Sequence, residues 1–230
     1  MAKVTRVCVL GERVSGTCFV QSLIAENTHL KVVAPYGHKH FYQDTDKMRR
    51  DDNEDTLFVF ISRDLVEWLS SFKNNTFHAD KPIRNCKDMS SFLRMEWKCI
   101  FDGTSGTPET SSVYGTEMMA ERNPADGKRF ENVVQMRNSK MRHFLGIQEH
   151  VKHFVHVRYE DVRENQEGFL SDMCSSFGIR RNPVFHPINS VRGKGRVPYV
   201  RKTYEEMCAE DVDFVVQNVD LELESFLGYT

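Results

Sequence analysis

Cationic and hydroxyl side chains recur in this sequence at the ends of apolar runs, a pattern suited to gripping phosphate or sulfate groups. The first set is Arg13, Ser15, Gly16 and Thr17, which follows the run Val7-Cys8-Val9-Leu10 and Gly11. A loop that joins a strand to a helix aims several backbone N–H groups at one spot, and the helix dipole places partial positive charge there. A tight turn with a Ser or Thr N-cap fits the same residues. The second set is His38, Lys39 and His40. Imidazoles beside an ammonium can move a proton next to an anion, and they read equally well as solvated surface groups. A histidine pair also suits a metal, but no third ligand stands at a useful spacing, so no metal is assigned. The third set is Arg63, with Ser71 eight positions later. That spacing is close to two helical turns, so the guanidinium fork and the hydroxyl can face one phosphate; Arg63-Asp64 alone could be a local ion pair with a cap. The fourth is Val191-Arg192-Gly193-Lys194-Gly195-Arg196. Its glycines let a backbone fold closely over an anion, or make it a flexible, solvated connector.

The elements that must position these groups follow from hydrophobic periodicity. Val7 to Leu10 has the β-branched content of a buried parallel strand, and Phe19, Val20, Leu23 and Ile24 recur at helical spacing. Leu30 to Ala34 reads as a second short strand that ends just before the His38 cluster. Leu57 to Ile61 is the strongest buried-strand signal, and it ends at Ser62-Arg63-Asp64; Val66, Trp68, Leu69 and Phe72 then mark a helix. The segment 43–55 is charged and reads as a loop, and 73–83 is polar and irregular. Phe92, Met95, Trp97 and Ile100 predict a helix over 89–100. The stretch 102–130, rich in Gly, Ser, Thr and Pro, reads as a long surface excursion. A basic amphipathic helix is expected over 133–147, bearing Arg137, Lys140 and Arg142. A strand over 153–157 closes with Arg158-Tyr159-Glu160-Asp161, a helix over 166–177 stops at Gly178, and helices near 203–217 and 220–227 complete the chain. Strands alternating with helices predict an α/β fold with a central, mostly parallel sheet flanked by helices, in one domain spanning 1–230.

Composition narrows the function classes. A formal net charge of -2 provides no electrostatic footprint for nucleic acid. No apolar run is long enough to span a bilayer, and the N-terminus enters the first strand without a signal sequence. The six cysteines lack CxxC or metal-type spacing and read as reduced core thiols. Together these point to a soluble, cytoplasmic protein. A nucleotide triphosphatase loop needs Lys directly after its last Gly to reach the terminal phosphates, and here Gly16 is followed by Thr17 and Cys18.

Taken in order, these motifs resemble the sulfotransferases that use 3'-phosphoadenosine 5'-phosphosulfate (PAPS). Arg13-Val14-Ser15-Gly16-Thr17-Cys18 is similar to the family loop that holds the 5'-phosphosulfate. Arg63 and Ser71 keep the spacing of the family's 3'-phosphate element. Arg158-Tyr159-Glu160-Asp161-Val162 resembles the run whose Tyr lies near the adenine, and Arg192-Gly193-Lys194-Gly195 is more loosely similar to the loop that closes on the 3'-phosphate. The resemblance implies a P-loop-like sulfotransferase fold and donor contacts from Arg13, Val14, Ser15, Gly16, Thr17, Cys18, Arg63, Ser71, Tyr159, Arg192, Gly193 and Lys194.

Departures from the family pattern are specific. Val14 stands where a basic residue is usual, so Arg13 must reach the sulfuryl group from one residue earlier, and Cys18 replaces a hydroxyl donor. His38-Lys39-His40 stands where cytosolic members carry a Lys-Thr-His segment. His40 fits the base, and Lys39 is displaced by one residue. Members acting on carbohydrates often use a carboxylate instead, which keeps Glu96 and Asp102 as candidates. The implied chemistry is in-line sulfuryl transfer from PAPS to an acceptor hydroxyl or amine, on a small molecule or a carbohydrate. Arg13, Lys39 and the backbone N–H groups of 15–18 would stabilise the leaving oxygen, His40 would take the acceptor proton, and no metal, nucleic acid or membrane would take part. The alternatives are a non-catalytic nucleotide-binding relative, in which Val14 and Cys18 mark lost chemistry, and a P-loop type kinase.

Overall fold

The computed structural model describes residues 3–49, 51–190, 197–204 and 206–229, with Asp51 in its backbone alone. In chain order the elements are β1 (Arg6–Leu10), α1 (Thr17–Asn27), β2 (Lys31–Val32), β3 (Thr56–Ser62), α2 (Leu65–Lys73), α3 (Lys81–Arg84), α4 (Met89–Arg94), α5 (Val133–Gly146), β4 (His153–Arg158), α6 (Tyr159–Glu164), α7 (Gln166–Phe177), α8 (Ala209–Asn218) and α9 (Leu221–Phe226). Short 3-10 turns fill several of the connections. The chain, which reads as one domain in sequence, gathers into two compact units, Met1–Asp64 with His143–Thr203 and Leu65–Arg142 with Tyr204–Thr230.

The first unit holds a four-stranded parallel sheet in the order β2-β1-β3-β4. The run TLFVFIS is buried at every position of β3, as a strand covered on both faces requires. Alternation sorts its side chains. Leu57, Val59 and Ile61 share a core with Val7 and Val9 of β1, Phe19, Val20, Leu23 and Ile24 of α1, Val162 of α6, and Leu170 and Met173 of α7. Phe58 and Phe60 point the other way, against Tyr36 at 6.3 Å, and against Phe144 and His156 at 5.6 and 5.0 Å between ring centroids. Gly178 ends α7 in the left-handed region, with φ of 62°.

Strand order decides where a ligand can enter. From β1 the chain moves to one side for β2, then crosses back to the other side of β1 for β3. The connections therefore diverge between β1 and β3, and the carboxyl ends of those strands are the usual binding place in such folds.

The second unit is helical and is packed through aromatic rings and buried ion pairs. The rings of Trp68 and Phe72 on α2 lie 4.8 Å apart, and Phe72 lies 5.3 Å from Trp97 and 6.3 Å from Phe92. The helix expected over 89–100 ends at Arg94. Met95 is already extended, and Trp97, Cys99 and Ile100 exchange backbone hydrogen bonds with Phe130, Met118 and His78. Their apolar spacing serves an irregular extended segment bridged to Ala79 and Glu117, so neighbouring backbone overrides helical periodicity there. The stretch 102–130 is largely exposed, yet it buries Asp102, Met118, Glu121 and Phe130. In the basic amphipathic helix α5, Arg137 and Lys140 are buried while Arg142 is exposed. Arg137 pairs with Glu224 of α9, while Lys140 Nζ meets Glu121 Oε1 at 2.5 Å. Arg94 Nη1 meets Asp211 of α8 at 2.6 Å, which ties the tail to the same unit.

All six cysteines are free thiols. Cys8, Cys99 and Cys174 are buried, and Cys208 is exposed. Among the described residues no helix is long and apolar enough to cross a membrane.

Candidate functional site at the carboxyl ends of the parallel strands

The loop between β1 and α1 turns sharply because three of its residues take positive φ: Gly11 (154°), Val14 (57°) and Gly16 (95°). Val14 is a β-branched residue in a region such residues avoid, so the surroundings must hold it there. Arg63 Nη1 does so in part, donating to the Val14 carbonyl at 3.0 Å. Close packing explains both glycines. A Cβ on Gly11 would lie 2.5 Å from the Ile61 carbonyl oxygen, and one on Gly16 would lie 2.4 Å from Cδ2 of Tyr159. Past Gly16 the chain enters α1, and Ser15 and Thr17 are buried at that entry.

Glu12 organises the loop. Its Oε1 accepts from the backbone N–H of Arg13 at 2.7 Å and from Arg13 Nε at 2.6 Å, with both side chains no more than 2 % exposed. Its carbonyl accepts from the Ser15 N–H at 3.2 Å and from Ser15 Oγ at 2.5 Å. Arg13, expected to face a sulfuryl group, is therefore held against a buried carboxylate.

The segment after β2 packs on this loop. The Gly11 N–H donates to the Lys39 carbonyl at 3.1 Å, and His40 Nδ1 lies 2.6 Å from the Gly11 carbonyl. A carbonyl only accepts, so Nδ1 carries the proton and the basic lone pair is on Nε2. Burial, opposed chiefly by the Glu12 carboxylate and reinforced by Lys39 and Arg13, pushes the His40 pKa down to about 3. The imidazole is neutral at pH 7. Lys39 Nζ donates to Cys18 Sγ at 3.1 Å and to Gln21 Oε1 at 2.9 Å, which sets its charge beside the first turn of α1. The ring of His38 is 5.1 Å from that of His40.

Arg63 and Tyr159 close the other side. Arg63 follows β3 directly, and its guanidinium carbon lies 4.9 Å from the centroid of the Tyr159 ring. Tyr159 follows β4, packs edge-on against Phe19 and bonds its hydroxyl to that of Tyr199 at 3.1 Å. Burial and that hydroxyl contact raise its pKa well above the usual phenol value. Arg163 is 3.6 Å from the Tyr199 ring centroid and 4.6 Å from that of Phe19.

Arg13 to Cys18, Lys39, His40, Arg63 and Tyr159 thus come together, although they lie far apart in sequence. Ser71 belongs to the second unit, where it is buried on α2 and its carbonyl accepts from Asn75 Nδ2 at 3.0 Å. Arg192, Gly193 and Lys194 lie outside the described residues. The alternative carboxylates are both in ion pairs of the second unit, Glu96 with Arg129 at 2.7 Å and Asp102 with Arg84 at 2.7 Å. Sequence reasoning missed Glu12, Arg163 and Tyr199. For Glu12 the signal was an acid inside a cationic loop, but adjacent residues in extended chain point apart, so nothing local pairs it with Arg13.

The fold and site define an α/β protein with, at the topological switch point of its parallel sheet, a tight loop whose Gly11, Arg13 and Ser15 N–H groups are held by Lys39 and Glu12, flanked by Lys39, Arg63 and a neutral histidine. No protein family, curated protein or solved structure matches the chain.

Proposed function

We propose that this chain is a PAPS-dependent sulfotransferase with a P-loop-like sulfotransferase fold. The observation that carries the reading is the gathering of the 11–18 loop, Lys39, His40 and Arg63 at the carboxyl ends of the adjacent strands β1 and β3. Backbone N–H groups at the start of α1 and the Lys39 ammonium are suited to oxygens of the 5'-phosphosulfate, and Arg63 to a second phosphate. His40 Nε2 takes the proton of the acceptor hydroxyl as its oxygen attacks sulfur in line. The bond from sulfur to the bridging oxygen breaks, and its electron pair leaves on adenosine 3',5'-bisphosphate. A neutral imidazole is free to accept a proton at physiological pH, although a pKa near 3 makes it a weak base until the negative charge of a bound donor raises it.

Calorimetric titration with adenosine 3',5'-bisphosphate and with ATP-Mg²⁺ tests the donor class: the bisphosphate should bind, and binding of ATP-Mg²⁺ alone would favour a kinase. His40→Ala should abolish PAPS turnover and leave bisphosphate affinity nearly unchanged. Arg63→Ala should weaken the bisphosphate by about tenfold or more; equal affinity in variant and wild type counts against the assignment. The pairing of Arg13 with Glu12 favours a second reading, a nucleotide-binding module without transfer activity. Bisphosphate binding without PAPS turnover across an acceptor screen of phenols, alcohols, amines and carbohydrates would select it.

A further inference from the structure

The buried carboxylate inside a cationic loop calls for its own explanation. Glu12 and Arg13 are neighbours whose side chains meet because the chain reverses between Gly11 and Val14, both at positive φ. A charge so deeply buried is tolerated only when paired, and Glu12 supplies an anion to the Arg13 guanidinium. The same residue also fixes the loop through Ser15, whose N–H and Oγ both donate to its carbonyl. Its carboxylate lies close enough to His40 to oppose the fall in that residue's pKa, which places its negative charge within the field of the site.

We propose that Glu12 is a positioning residue that holds Arg13 as an internal stand-in for the ligand and competes for it with an incoming phosphate or sulfate group. The inference rests on the anion-binding part of the proposed function but not on PAPS as donor. An incoming anion must draw Arg13 from Glu12 or bind beside an unshielded carboxylate. Either route lowers affinity and eases release of the bound anion.

Inorganic pyrophosphate is the probe that separates the two claims, with adenosine 3',5'-bisphosphate run beside it. Glu12→Gln keeps the side-chain shape and an acceptor oxygen for Arg13 but removes the charge. It should bind pyrophosphate about tenfold more tightly than wild type, and Arg13→Gln in the same background should cancel the gain. A merely structural Glu12 would instead weaken binding along with stability. Unchanged or weaker pyrophosphate affinity in a folded Glu12→Gln protein overturns the proposal, as does failure of wild type and variant alike to bind pyrophosphate. Should Glu12→Gln not fold, Glu12→Asp keeps the charge but shortens its reach, and it should show a smaller gain of the same sign; no gain there counts equally against the idea. Pyrophosphate binding that tightens in the variant while the bisphosphate fails to bind sustains the role of Glu12 and removes the sulfotransferase reading.

Discussion

At the residue scale, the site depends on side chains whose states are set by burial rather than by residue type. An unfolded His40 has an ordinary pKa of roughly 6.5, and the folded one is held at about 3. Between those values the unfolded chain binds the extra proton, so stability is complete above about pH 6.5 and falls as pH drops toward 3. His156, pushed down to about 4 by burial and by Arg158, adds in the same direction. Denaturant unfolding at pH 7 and pH 5 should show the loss, about 1.4 kcal/mol per pH unit at most for each histidine, and His40→Asn should flatten it. An acid limb identical in variant and wild type would remove His40 from the account. Gly16 gives a steric test. A Cβ there would collide with the Tyr159 ring at a φ of 95°, so Gly16→Ala should cost about 1–3 kcal/mol in thermal unfolding. It should also weaken anion binding, because the loop must move to accept the methyl group.

Elements place these residues with differing independence from their surroundings. The segments β1-loop-α1, β3-Arg63 and β4-Tyr159 are each a strand whose carboxyl end delivers a candidate side chain, and each was legible from an apolar run followed by polar residues. Helix α5 is the opposite case. Its cations read as part of a basic amphipathic helix, but Arg137 and Lys140 are interior and matched to Glu224 and Glu121 from distant segments. Periodicity reports which residues are apolar, and it is blind to a charge buried with its partner. Glu121 also accepts from Trp97 Nε1 at 3.2 Å, so it joins α5 to the segment after α4. Glu121→Ala leaves the Lys140 ammonium buried without its carboxylate and should destabilise the protein by about 3–5 kcal/mol. Lys140→Met with Glu121→Leu should recover much of that loss, as urea denaturation of the single and double variants can measure.

For the whole molecule, the chain path is the governing feature. Each compact unit is assembled from two separate stretches of sequence, so no single cut isolates either one. The tail from Tyr204 carries Asp211 and Glu224, the partners of Arg94 and Arg137. A chain ended at Thr203 should therefore lose amide-exchange protection through α4 and the α5 residues up to Arg142. Protection retained there would show that the tail is dispensable to that unit.

Local patterning by itself determined the parallel-strand segments, the helices that follow them, and the candidate residues at their carboxyl ends, because burial on two faces and helical spacing are written into neighbouring side chains. It also placed an Arg and a Lys near an expected anion. Only the tertiary structure decided the strand order β2-β1-β3-β4, and with it the switch point at which Arg63 reaches the Val14 carbonyl of the β1–α1 loop. It alone paired Arg13 with Glu12, fixed the tautomer of His40 through the Gly11 carbonyl and buried the cations of α5. These depend on partners distant in sequence, or on a backbone reversal. The energy of a charge follows from what surrounds it in space, a quantity that no local window of residues contains.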